Sequence, residues 1–298
     1  MGEFSMFALK PEQGALPAME QLPDDMQQRI RAMAQRLNVS DHAAVMGFGA
    51  KAQKNMDAFS SIAVGQMLSN DVAPLETVMQ TLAEQIRSCS FAAEAKGFLR
   101  KMLGGAPEYA AVRRAYEKAE PRINQCADEM TDRRVALVRD CALLERLYER
   151  NETLYRELCS LLVIGAEIIR LAKDAGKSAQ DVARMERRME DLQLTKVAST
   201  QLAVQIRMVQ ESDRLAASRL QAALEVTIPL WKSQMAAALG LARATDALTA
   251  EKRASAQAAR GVKSSREQAQ ATADALLKEL SEIEKSLAAQ QELRRKEG

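Results

Sequence analysis

Apolar residues recur along most of this chain at spacings of three and four, the period that places side chains on one face of an α-helix. The longest such run begins at Leu137 and continues through Leu144, Tyr148, Tyr155, Leu158 and Leu162 to Ala172, with Cys141, Asn151, Gly165 and Ile169 in the same register. This heptad pattern predicts packing against another helix with a left-handed supercoil. Asn151 and Gly165 depart from ideal seam residues; the first can fix register, and the second can let two backbones approach closely. A second run carries Val182, Met185, Met189 and Leu192, shifts phase, and resumes at Leu202, Ile206, Val209, Asp213, Ala216, Leu220 and Ala223. A third passes from Val262 through Ala269, Ala273, Leu276, Leu280 and Ile283 to Leu287, with Arg266 as its interruption.

The punctuation between these runs is equally readable. Gly176 after Lys173-Asp-Ala is a helix C-cap, and Ser178 with Asp181 three residues later is an N-cap of the capping-box kind. The two helices are therefore expected to fold antiparallel across a turn near 174–178. Pro229 sits deep in a helical pattern, where a proline removes one backbone donor and clashes with the carbonyl of Glu225, at a cost of about 3 kcal/mol. Thr227 to Gln234 is accordingly read as a joint that turns the chain between two long helices.

Residues 24–106 are expected to form a bundle of shorter helices. The first runs from Asp24 to Leu37 and is closed by Asn38; the second is capped by Ser40 and runs to Ser69, loosened by Gly47, Gly49 and Gly65. Pro74 suits the first turn of the next, and a shorter helix ends at Leu103 before Gly104-Gly-Ala-Pro107. Pro121 punctuates the first helix beyond that break. Residues 1–23 read as a flexible arm, with an expression scar before Met6 and prolines at 11, 17 and 23. The fold class is all-α: a three-helix antiparallel coiled-coil-like rod over 107–298, its arms some 60–70 Å long at about 1.5 Å per residue, with a smaller N-terminal bundle. The terminal stretch from Gln290 is expected to fray. The seams can close within one chain or between two, so a homo-oligomer stays open.

Composition agrees, with 47% hydrophobic but only 4% aromatic residues. Basic and acidic residues number 42 and 40 and are interleaved, which leaves no basic stripe for nucleic acid. The four cysteines form no CxxC pair, so neither a disulfide framework nor a metal site is expected, and a reducing cytoplasm fits. No apolar run reaches the ~20 residues of a membrane span. The single histidine, His42, stands beside Asp41 in a first helical turn, and no nucleotide or hydrolase motif is present. An enzyme is not expected, and no cofactor is called for.

The best stripe of functional residues is Arg207, Gln210, Arg214 and Gln221, which share a helix face; two guanidiniums there can hold an oxyanion or a partner carboxylate, with Lys232 brought near by the joint. Glu211 and Asp213 beside them equally suit an ordinary solvated face. Trp231, the only tryptophan, can anchor a partner or fill the gap at the joint.

Gln205-Ile-Arg-Met-Val-Gln-Glu-Ser-Asp-Arg214, Arg219-Leu-Gln-Ala-Ala-Leu224 and Thr227-Ile-Pro-Leu-Trp-Lys-Ser-Gln-Met-Ala236 resemble the hallmark region of the bacterial toxic anion resistance (TelA, tellurite resistance) family, with weaker likeness over residues 40–290 that includes Leu144-Glu-Arg-Leu-Tyr-Glu-Arg-Asn151. The resemblance implies a cytoplasmic helical protein of the tellurite and stress response, working with other stress-response proteins and peripheral at the inner membrane in one reading. It carries no catalytic residues. Pro229, Trp231, Lys232 and Gln234, with the Arg and Gln stripe, are the expected contact surface for a partner or an anion. Direct oxyanion binding or thiol-based detoxification is one rival; a peripheral membrane protein, suggested by amphipathic helices and by Arg294, Arg295 and Lys296, is another.

Overall fold

In a computed structural model, described for residues 6–68, 73–89, 107–250 and 256–296, the chain is helical, and no strand occurs among the described residues. Its helices are α1 Asp24–Ala34, α2 His42–Gly47, α3 Ala50–Leu68, α4 Ala73–Ser88, α5 Pro107–Asp174, α6 Ala179–Ala222, α7 Ile228–Ala250 and α8 Ala256–Lys296. Two compact units result, and both are discontinuous in sequence: the first takes Met1–Asn70 and Ala142–Glu211, the second Asp71–Cys141 and Ser212–Glu297. Helices α5 and α6 thus contribute to both. The predicted helix end at Leu103 falls outside the described residues.

In the first unit the heptad seam of α5 is buried as its spacing requires: Leu144, Tyr155 and Leu158 have no exposed surface and Tyr148 and Leu162 almost none. It meets α6 across the turn, which forms from the residues that signal it. Gly176 takes φ 66°, and the Asp181 amide donates to Ser178 Oγ at 3.2 Å. The apparent phase shift in α6 is not one. Val182, Met185, Met189, Leu192, Lys196, Ser199, Ala203, Ile206 and Gln210 continue the three-four spacing, and Lys196, Ser199 and Gln210 are buried in it. The seam was hidden because three of its places are polar. Asn151 supplies the partner for one of them: its Nδ2 donates to the Ser199 carbonyl at 3.0 Å and its Oδ1 accepts from Ser199 Oγ at 3.1 Å. This pair satisfies itself in only one register of α5 against α6.

The short helices depart from expectation in detail. Asp41, not Ser40, caps α2, accepting from the amides of Ala43 and Ala44 at 2.9 and 3.2 Å, because Ser40 Oγ is turned to Asp181 at 3.0 Å. The second helix is cut in two at Phe48-Gly49, where Gly49 takes φ 69° and comes so near Leu192 that a Cβ would lie 2.7 Å from its side chain. Only glycine fits both conditions. Helix α1 stops at Ala34, and Asn38 instead accepts the Ser40 amide through its side chain at 3.1 Å. Gly165 makes room for a side chain rather than for a second backbone: a Cβ there would strike the Met189 sulfur.

The expected mobile arm is laid against the first unit. Phe7 and Pro11 are buried, short 3₁₀ turns form at Pro11–Gln13 and Met19–Gln21, and Leu22 closes onto the core shared with α1 and α5. The arm is held by side chains of α5 and α6 and not by pairing with another backbone.

The second unit joins α4, the first part of α5, the end of α6, α7 and α8. Here two prolines behave differently from expectation. Pro121 lies inside α5 with its ring exposed, and the helix continues through it. Pro229 does not turn the chain: α6 passes into α7 through a π turn, Ala223–Thr227, in which the Ile228 amide bonds the Ala223 carbonyl five residues back. The widened turn adds one residue and relieves the collision a proline would cause in a tight α-turn. Burial records the insertion. Ala216, Leu220 and Ala223 are followed, after a gap of five, by Ile228, Trp231, Met235, Ala238 and Ala242, so eight residues rather than seven separate Leu220 from Ile228. Helix α8 lies antiparallel to this continuous helix, with Thr227 Oγ1 donating to Glu279 at 2.9 Å and Gln234 bonded to Thr272. Its predicted seam, Ala269, Ala273, Leu276, Leu280 and Ile283, is buried, and the helix reaches Lys296 beyond the expected fraying point.

Candidate functional site

The predicted site residues divide between the two units. In the first, Arg207 and Gln210 close on Glu145 of α5: the guanidinium forms a fork with both carboxylate oxygens at 2.6 and 3.1 Å, and Gln210 Nε2 donates to Oε2 at 2.8 Å. Arg207 also donates to the Gln210 amide oxygen at 2.7 Å and stacks over the Tyr148 ring, 3.6 Å from its centroid. Three neighbours thus fix one cation. Gln210 is buried, whereas Arg207 and Glu145 are each about 40% exposed, being 39% and 41% by side chain.

Residues in the second unit serve other ends. Arg214 and Gln221 are exposed, and Gln221 donates to Glu225 at 3.1 Å on the next turn. Pro229 faces outward at the π turn. Trp231 has no exposed surface; its ring lies 5.9 Å from Tyr116 at 52°, within the core that Ile123, Met130 and Leu220 share. Lys232 hydrogen-bonds Asn124 of α5, and Gln234 bonds Thr272 of α8. The tryptophan is therefore a core residue, and its two polar neighbours tie α7 to the helices on either side.

All four cysteines are free thiols; Cys89, Cys126 and Cys159 are buried and Cys141 is half-buried. Burial pushes Cys89, Cys126 and Cys159 above the ordinary thiol range, and Cys141 to about 11 through burial and then the charge of Asp213. A thiolate is the nucleophile and the metal ligand, so these groups are poorly disposed to either role at neutral pH. Among the described residues no group of three or more His, Cys, Asp or Glu side chains converges as a metal centre requires.

Sequence reasoning missed the most elaborate polar surface, which lies under the arm. From α5, Tyr148 donates its hydroxyl to Glu12, Arg156 Nε donates to the Leu9 carbonyl at 3.1 Å, and Ser160 Oγ accepts from the Met6 amide at 3.0 Å. From α6, Lys196 Nζ donates to the Gly14 carbonyl at 2.5 Å, while its ammonium lies 5.7 Å from the Tyr155 ring centroid. Burial first, and the Glu12 contact second, push the Tyr148 hydroxyl up to about 12, so it remains a donor at any physiological pH. The available signals were the tyrosines at 148 and 155 and the lysine at 196, all in seam register.

A large part of the outer surface of α6 is unusually neutral. From Gln193 to Ile206 the only charged residue is Lys196, and it is buried; Leu194, Val197 and Val204 are exposed, Leu194 by 69%.

No helix among the described residues is long and apolar enough to cross a membrane. The toxic anion resistance protein (TelA) family profile matches residues 30–260. TelA-like proteins of Staphylococcus aureus strains bovine RF122 / ET3-1 and N315 are each 25% identical over 261 residues, which cover 78% of this chain and 68% of the relative. No solved structure matches. With a profile that spans most of the chain and includes the π turn at Pro229, the protein belongs to the toxic anion resistance (TelA) family.

Proposed function

We propose that this chain is a non-enzymatic helical interaction scaffold of the bacterial toxic-anion, and specifically tellurite, stress response, acting in the cytoplasm through contacts with other stress-response proteins. The observation that carries this reading is how its polar groups are used. Arg207, the best-placed cation of the predicted anion stripe, is already held by Glu145, Gln210 and Tyr148. An incoming oxyanion must displace a bidentate carboxylate, which has the same fork geometry and charge. The raised thiols, three of them buried and Cys141 half-buried, speak against thiol chemistry on the same physical grounds.

The neutral outer face of α6 favours a protein partner over a lipid surface. Apolar side chains flanked by glutamine and small residues suit the contact surface of another helix, whereas attraction to anionic lipid needs exposed Lys or Arg beside the apolar stripe.

Two measurements on cells and protein test the reading together. A chain with all four cysteines replaced by alanine, folded by circular dichroism, should restore tellurite resistance to cells lacking the gene, and calorimetry of the wild type with tellurite should give no heat of binding. Loss of resistance in the folded Cys-free chain, or a binding heat removed by Arg207→Ala with Arg214→Ala, would replace the scaffold by a direct detoxifying role.

A further inference from the structure

Residues 6–17 contact the first unit in the manner of a bound peptide. Residues 6–10 carry no helix and lead, through extended Lys10 at φ −95° and ψ 155°, into the 3₁₀ turn at Pro11–Gln13, and up to that turn alternate side chains go inward: Phe7 and Pro11 are buried and Leu9 is half-buried, while Ala8 and Lys10 face outward. This period of two is the pattern by which a groove takes an extended chain. The body binds mainly backbone. Arg156, Lys196 and Ser160 address the Leu9 carbonyl, the Gly14 carbonyl and the Met6 amide, and Tyr148 takes the one acidic side chain, Glu12.

The receiving groups are braced independently of the arm. Arg156 is paired with Glu152 one turn earlier, Tyr148 lies under the Arg207 guanidinium, and Ser160 Oγ also donates to the Arg156 carbonyl at 2.9 Å. The arm itself has little internal structure to hold it, being limited in this stretch to one 3₁₀ turn and interrupted by Pro11, Gly14 and Pro17. A rigid receptor and a weakly structured occupant can part without unfolding the body. Lys196 sharpens the point. This buried ammonium is met by a neutral carbonyl and an aromatic face, and a buried cation gains more from a carboxylate than from either.

We propose that the surface beneath residues 6–17 is a peptide-binding groove, that the arm is its intramolecular occupant, and that the competing ligand is an extended segment of a partner protein. Such a segment has apolar residues at alternate positions, followed by acidic residues that reach Tyr148 and Lys196. The inference rests on the scaffold reading and gives it a specific surface. Displacement of the arm is then the step that admits a partner.

Fluorescence anisotropy with a labelled synthetic peptide of residues 6–17 tests this on the full chain. Phe7→Asp, which puts a charge in place of a buried arm side chain, should bind the peptide saturably and at least about tenfold more tightly than the wild type, a difference of ~1.4 kcal/mol. Adding Lys196→Met, or changing Glu12→Gln in the peptide, should weaken that binding. Leu9→Asp is a second route to release, so the test does not depend on one variant folding. Equal binding by wild type and both released chains, or none by released chains that melt cooperatively, would overturn the groove. A concentration-dependent dimer abolished by Phe7→Asp would also overturn it, by making the arm's true receptor a second copy of this chain. Neither tellurite nor a cellular partner enters the experiment, so failure here leaves the scaffold reading standing, and failure of resistance or partner capture in cells leaves this result intact.

Discussion

The two units are built on the same pair of helices, yet they are held together by different means. Among the described residues, buried Asn151, Ser160, Glu167, Arg188, Lys196, Ser199 and Gln210 all lie in the first unit, against Asp213 and Ser265 in the second. The second unit is filled by apolar groups around Trp231, and a π turn keeps its seam in phase. Polar seam groups give little net stability but exclude wrong registers, whereas apolar packing gives stability with less discrimination. The comparison assigns specificity of arrangement, and an adaptable outer surface, to the first unit and bulk cohesion to the second.

The largest break in that comparison should come from Trp231→Ala, with a loss of about 3–5 kcal/mol in chemical denaturation. Trp231→Phe should cost far less, because among the described residues the indole N–H has no hydrogen-bond partner to lose. In the first unit, Asn151→Ala should cost about 1–3 kcal/mol by leaving Ser199 Oγ buried without its acceptor. Replacing both, as Asn151→Leu with Ser199→Ala, should recover most of that loss while broadening the amide spectrum of α5 and α6, since the register lock is gone. If the double change proves as costly as the single one, the pair contributes stability rather than specificity.

A smaller effect separates the units by pH. The Arg170 guanidinium, which donates to both oxygens of buried Glu167 at 2.7 Å, holds its carboxyl below the usual value of 4.5, and Arg31 of α1 adds to this. A depressed acid stabilises the folded state above its unfolded pKa and loses that contribution as pH falls through the folded value. Stability of the α1–α5 packing should therefore decline below about pH 4.5. Glu167→Gln should flatten this part of the profile, as monitored by tryptophan-independent far-ultraviolet melting.

Much of this was legible in the chain, for identifiable reasons. The α5 seam, the Gly176 and Ser178 caps and the α8 seam are local signals, each carried by residues within a turn or two of one another. What could not be read depends on distant partners. Lys196, Ser199 and Gln210 look like a lapse of the heptad until Gly14, Asn151 and Glu145 are placed opposite them. A proline at 229 within a helical pattern demands relief, but a single inserted residue and a hard turn give the same local sequence; only the burial of Ile228, Trp231 and Met235 distinguishes them. Of the stripe at Arg207, Gln210, Arg214 and Gln221, helix spacing gave a common face but not the carboxylate at Glu145 that engages its first two members. The arm has the composition of a loop, and its anchoring side chains lie more than 130 residues away, with a separation of 136 for Tyr148 and Glu12.

The claim that the first unit is a braced body with a separable cover is tested most directly by hydrogen exchange on the intact wild-type chain, followed peptide by peptide. Amides of residues 6–16 should exchange well ahead of those in Asn151–Leu162 and Leu202–Gln210, and adding denaturant below the unfolding transition should leave that order unchanged. Exchange of the arm only together with α5 and α6, at the rate of global unfolding, would contradict the account and make residues 6–16 an integral part of the core.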